Sequence, residues 1–141
     1  MSKPAERPIP TGLWKLNPAR SQMLIPKTMT LWIIENTTDM LRWVAVETPA
    51  GRDMAILSWQ GRYGGEPSEV VGAGIKARLT SAAAEGIRTE GEFPGLGPFV
   101  EFCRLSDDRR HMVCDGEVTT PQGIRRYHEE FDWCCDSPHG P

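Results

Sequence analysis

Residues 28–35 read TMTLWIIE, residues 40–48 MLRWVAVET and residues 52–63 RDMAILSWQGRY, and the fold turns on what separates them. Each run is rich in β-branched and aromatic side chains, which suit a half-buried pleated surface. Asn36 to Asp39 interrupts the first pair with turn chemistry, Thr48-Pro49-Ala50-Gly51 the second, and Gly64-Gly65-Glu66-Pro67 closes the third. This is a succession of strands with short connections.

The pattern continues outward in both directions. Residues 12–16 form a short opening strand, and 74–81 and 86–93 read as weaker strands. Beyond the loop Pro94-Gly95-Leu96-Gly97-Pro98 come 99–105, 109–118 and 123–133, joined by Ser106-Asp107-Asp108 and Thr119-Thr120-Pro121-Gln122. The single helix-like run, 73–85, is broken by Gly74, Leu79-Thr80 and Gly86. An all-β meander of about eight to nine strands with no helices to cover its faces must close or form a sandwich. Closure into a single antiparallel barrel removes the edge strands and leaves room for one small ligand.

The chain has 141 residues, enough for one domain with one core. We expect a flexible N-terminal segment over 1–10, which is polar and carries three prolines, a barrel over 11–135 and a flexible tail over 136–141. Net charge is −3, and the pairs Arg109-Arg110 and Arg125-Arg126 have acidic neighbours. That balance argues against nucleic acid and anionic membranes as partners, because both demand a basic surface. No run approaches the ~18–20 apolar residues of a membrane span. The N-terminus lacks an apolar signal region, which predicts a cytoplasmic protein.

Cys103, Cys114, Cys134 and Cys135 follow no zinc spacing and are expected to be free thiols without a catalytic role. His111, His128 and His139 show no H-x-H or H-x-x-x-H pattern, so no metal is expected. There is no nucleotide-binding glycine loop and no nucleophile elbow, so no cofactor is expected either.

The opening Gly12-Leu13-Trp14-Lys15-Leu16-Asn17-Pro18-Ala19-Arg20-Ser21 resembles the G-x-W-K-L-N-x-x-[KR]-S start of small bacterial lipocalin-like (calycin-type) domains. Three later pieces resemble that family in order: Trp59-Gln60-Gly61-Arg62-Tyr63-Gly64-Gly65, the turn Leu105-Ser106-Asp107-Asp108, and Gln122-Gly123 followed by Phe131-Asp132. The resemblance implies a meandering antiparallel barrel and a structural Trp14. It implies little about function, since that broad class holds both ligand carriers and cofactor-free isomerases, cyclases and lyases. The chain departs from the family where Tyr127-His128-Glu129-Glu130-Phe131 stands in place of a mainly apolar last strand.

That departure supplies the candidate site. With Pro121-Gln122 as a two-residue turn, Glu117 faces Arg126, Asp115 faces His128 and His111 faces Asp132. Met112, Cys114, Tyr127, Glu129 and Phe131 then share the other face, with Arg125 at its rim. A slip of one residue brings His128 and Glu130 inward instead. Either register points a carboxylate into the barrel, where burial raises its pKa toward that of a working acid or base; a structural ion pair with Arg125 is the plainer alternative. Glu101 in the apolar run 99–103 is a second candidate if Phe99, Glu101 and Cys103 face inward. Trp32, Trp43, Trp59 and Tyr63 would shape an aromatic pocket, or simply pack the core.

The function expected from this pattern is a cofactor-independent enzyme that moves a proton on a small hydrophobic metabolite, cyclic or aromatic in kind, as an isomerase, cyclase or lyase. Glu129, Glu130 or Glu101 would be the base and Tyr127 or His128 the donor to a developing oxyanion. Trp32, Trp43, Trp59, Tyr63, Met112, Cys114, Arg125 and Phe131 would line the ligand. The alternative is an intracellular binding protein using the same pocket without catalysis. A homodimer is left open.

Overall fold

The computed structural model describes residues 11–36, 39–83 and 86–135, with the backbone alone for 80–83. The expectations for 1–10 and 136–141 therefore lie outside the described residues. Ten strands follow one another: β1 Gly12–Leu16, β2 Lys27–Asn36, β3 Met40–Pro49, β4 Ala55–Arg62, β5 Ser68–Val70, β6 Ile75–Ala83, β7 Gly86–Phe93, β8 Gly97–Leu105, β9 His111–Thr120 and β10 Gly123–Cys135. They form one antiparallel sheet in the order β4-β3-β2-β1-β10-β9-β8-β7-β6-β5. The strand beyond the eight or nine expected is β5, three residues between glycine-rich turns, too short for an alternation to register.

The sheet curls until its two ends meet. Ser58 on β4 and Val71 just after β5 exchange backbone hydrogen bonds of 3.1 and 2.8 Å. The indole N–H of Trp59 crosses the same seam to the carbonyl of Ala77, at 3.1 Å. The result is a near-closed antiparallel barrel with a thin seam between β4 and β5. Strand alternation then sorts the side chains: on β9, Met112, Cys114, Gly116 and Val118 are buried, and the residues between them face out.

One end of the lumen is packed solid. Trp14, Met112 and Phe131 have no exposed surface, and the Phe131 ring lies 4.0 Å from that of Trp32, tilted by 31°. Each such side chain contributes roughly 1.5–3 kcal/mol by leaving water. Trp14 belongs to this plug, in keeping with a structural role for the opening motif.

The expectation that all four cysteines are free is corrected here. Cys103 and Cys114 stand directly opposite one another on β8 and β9, with Cα atoms 4.0 Å apart, and are joined by a disulfide. The register places the pair together, and the general rule that thiols stay reduced inside cells does not see that proximity. Cys134 and Cys135 are exposed, and the thiol of Cys135 lies 3.0 Å from the sulfur of Cys134.

Candidate functional site

The β9–β10 hairpin sets the site. Its register pairs Glu117 with Arg126, Asp115 with His128 and His111 with Asp132, so the unslipped alternative is the one the chain adopts. Tyr127, Glu129 and Phe131 point inward and are buried. His128 and Glu130 point outward, and the slipped register that would bring them into the lumen does not occur.

On that outer surface both histidines sit between carboxylates. The ring nitrogens of His111 lie 2.9 Å from Asp132 and 2.9 Å from Glu130; those of His128 lie 2.6 Å from Asp115 and 2.7 Å from Glu130. Hydrogen bonding to Asp132 raises the pKa of His111, and hydrogen bonding to Glu130 raises that of His128. This network ties β9 to β10 outside the barrel.

Inside the barrel is a cavity of about 500 Å³. Trp32, Trp43, Leu57, Trp59, Leu79 and Phe99 supply much of its apolar wall. The lining residues Ile25, Arg52 and Gly72 are exposed and mark its opening. Among the ligand-contact candidates, Trp32, Trp43 and Trp59 line this space. Met112, Cys114 and Phe131 lie in the packed core behind it, and Arg125 is exposed and is not among the lining residues. Tyr63 packs against the core without being among the lining residues and gives its hydroxyl proton to Asn36.

The polar end of the cavity is built from five strands. Glu101 shares the inner face of β8 with the buried Phe99 and Cys103, which settles an orientation that periodicity left open. Across β9 its neighbour is Gly116, and across β10 the neighbour of Gly116 is Tyr127. A side chain at Gly116 would occupy the space of the tyrosine ring, since its Cβ would fall 2.0 Å from Cζ. The missing side chain lets Tyr127 lie across β9 and hydrogen-bond to Glu101.

Beside this pair, Lys27 reaches in from β2. Its Nζ lies 3.0 Å from Glu129 Oε2 and 3.4 Å from Glu47 Oε2. The buried residues of β2 are Thr30, Trp32, Ile34 and Asn36, so simple alternation would send Lys27 outward. A bulge between Lys27 and Met29 shifts the phase and aims it inward. Sequence reasoning missed Lys27 for that reason. It missed Glu47 with less excuse, because Glu47 follows Leu41, Trp43 and Ala45 at a spacing of two.

The electrostatics are those of a desolvated, strongly coupled cluster. Burial, then the Glu129 carboxylate, push Glu101 up to about 7, against the opposing pull of the Tyr127 hydrogen bond and the Lys27 ammonium. Burial, then Glu101 and Glu129, hold the Tyr127 phenol well above its usual range, so it stays protonated. Burial pulls Lys27 down, but the charges and hydrogen bonds of Glu129 and Glu47 more than offset it, and its ammonium is held above its usual range. Such a set can hold one proton near neutrality on Glu101 and offer another from Tyr127. Glu101 also has the sulfurs of Cys103 and Cys114 within 4.8 Å, but these are bonded to each other rather than presented as thiolates.

No protein-family model matches the chain, and no curated protein matches it in sequence. Among solved structures, the barrel is similar to that of a mutant of the fluorescent protein UnaG, with a TM-score of 0.62 at 11% sequence identity, covering 89% of this chain and 96% of that one. At this identity the likeness speaks to fold alone. Together with the observed topology, it shows a single all-β, near-closed antiparallel barrel of the calycin shape.

Proposed function

We propose that the barrel binds a small, mainly apolar molecule in its lumen, and that Glu101 exchanges a proton with it in a cofactor-independent isomerisation, cyclisation or elimination. One observation carries this reading: a carboxyl group in the wall of an aromatic cavity is held at about 7 and hydrogen-bonded to a phenol. As its carboxylate, Glu101 would take a proton from a carbon acid of the ligand. Once Glu101 carries that proton, the Tyr127 O–H, no longer held by a carboxylate, would donate a hydrogen bond to the oxygen on which negative charge develops. Lys27 would stabilise that charge from across the cluster, and Glu101 would return its proton to the rearranged ligand or its leaving group. Glu129 is engaged with Lys27 and serves to position it.

The second reading is binding without turnover. The ion pairs of Lys27 favour it, because they describe a fixed polar end that orients a ligand as readily as it reacts with one. Incubation of the purified protein with a metabolite extract separates the two, with native mass spectrometry to detect a retained ligand and chromatography to detect its conversion. We expect one ligand per chain, converted by the wild type and retained unconverted by Glu101→Gln. Retention without conversion by either protein favours the carrier, and retention of nothing removes both readings.

A further inference from the structure

The charges at the polar end of the cavity do not balance. Glu47, Glu101 and Glu129 bring three carboxyl groups to its polar end, and Lys27 is the ammonium among them. Arg52 also lines the cavity, but it is exposed at the opening and solvated. Even with Glu101 protonated, the polar end carries one negative charge more than Lys27 can cancel. With Glu101 ionised it carries two.

We propose that the ligand is an amphiphilic amine, whose protonated nitrogen lies among Glu101, Glu129 and Glu47 while its apolar body lies against the tryptophans. This rests on the reading of the lumen as a ligand site and specifies the chemistry that site selects. A carboxylic acid of the same shape would enter an acid-rich, low-dielectric space whose ammonium already has two partners, and like charges there are costly. An ammonium gains on three counts. It neutralises the surplus charge, it finds acceptor oxygens that Lys27 leaves free, and it lies within reach of indole faces that attract cations. The cavity is an independent sign of a ligand: about 500 Å³ of space, walled by Trp32, Trp43 and Trp59, is far larger than a packing defect.

The groups facing Glu101 are Tyr127 and Glu129 from β10, Lys27 from β2 and, further along the same cluster, Glu47 from β3. Of these, Glu101 is the one placed near neutrality, so arrival of a cation favours its ionised form and expels its proton. Affinity for an amine should therefore rise between pH 6 and pH 8.

The test is isothermal titration calorimetry on the full chain with decylamine, decan-1-ol and decanoic acid, which share one tail. At pH 8 the amine should bind at least tenfold more tightly than the acid, with the alcohol between them, and its advantage should shrink at pH 6. Glu101→Gln should reduce the preference for amine over acid severalfold. Glu47→Gln serves the same purpose if the first variant does not fold. Equal affinity for all three, or tighter binding of the acid, overturns the proposal and leaves the lumen as a ligand site. Absence of binding by all three overturns the lumen reading and this proposal with it.

Discussion

Replacement of Lys27 by methionine isolates the polar end of the cavity. The ammonium lies 3.0 Å from Glu129 and 3.4 Å from Glu47, and the side chains of Lys27 and Glu129 are only 15% and 7% exposed. Removing one partner of a buried pair leaves an uncompensated charge, which costs about 3–5 kcal/mol. For a chain of this size that corresponds to a fall in melting temperature of roughly 10 °C. The loss must depend on pH. In the wild type, Lys27 is raised, so its contribution is fully present below its unfolded pKa and constant from pH 5 to 8. In Lys27→Met the ammonium's downward pull on the Glu101 carboxyl is lost, so that group is raised further and the extra loss of stability grows as pH rises past about 7. Thermal melts followed by circular dichroism should show a smaller deficit at pH 5 and the full one at pH 8. The double variant Lys27→Met/Glu129→Gln, which removes the more buried of the two orphaned carboxylates and a charge that raises Glu101, should recover at least half. A Lys27→Met protein that melts within about 2 °C of wild type at pH 8, or has equal deficits at both pH values, would refute the reasoning.

Three further outcomes are expected. Glu101 has a folded pKa of about 7, above its unfolded value, so between about pH 4.5 and 7 it should remove on the order of 3 kcal/mol of stability; denaturant melts across that window should fall for the wild type and stay flatter for Glu101→Gln. Gly116→Ala puts a methyl group into the Tyr127 ring and should cost about 1–3 kcal/mol, together with a shift of the tyrosine near-ultraviolet dichroism, whereas an unshifted spectrum would separate Gly116 from the site. Arg109 has φ 59°, in the left-handed region, so Arg109→Gly should raise stability by about 0.5–1 kcal/mol in the same melts.

How much of this was legible in the sequence varies by residue, for identifiable reasons. The last hairpin was half readable: Pro121-Gln122 as a two-residue turn gives the observed register, with Tyr127 and Glu129 inward, but a slip of one residue that turns His128 and Glu130 inward stayed open, because the pairing of the two strands is fixed by the whole sheet. Glu101 was readable only as an alternative, since its inward face is set by pairing with β9 and not by its own short strand. Lys27 was not readable, because alternation assigns it outward and the bulge that reverses the assignment leaves no mark in a single chain. Glu47 was readable and overlooked, hidden as one charge in an apolar run. The Cys103–Cys114 bridge follows from the β8–β9 register seen in the structure, and without that register the rule that cellular thiols stay reduced stood alone. The all-β class needed only the turns, because so many short strands without helices must close into a barrel or stack as a sandwich.

The five tryptophans provide the most direct test of the central claim. Trp32, Trp43 and Trp59 line the cavity, whereas Trp14 is sealed in the plug at the closed end and Trp133, on β10, is not among the lining residues. Their indole N–H resonances can be followed in ¹⁵N-labelled protein while decylamine is added. Saturable shifts of the Trp32, Trp43 and Trp59 signals, with Trp133 unmoved, are the predicted result. Three stationary lumen signals, or a shift confined to Trp133, would contradict the account of the lumen as the binding site.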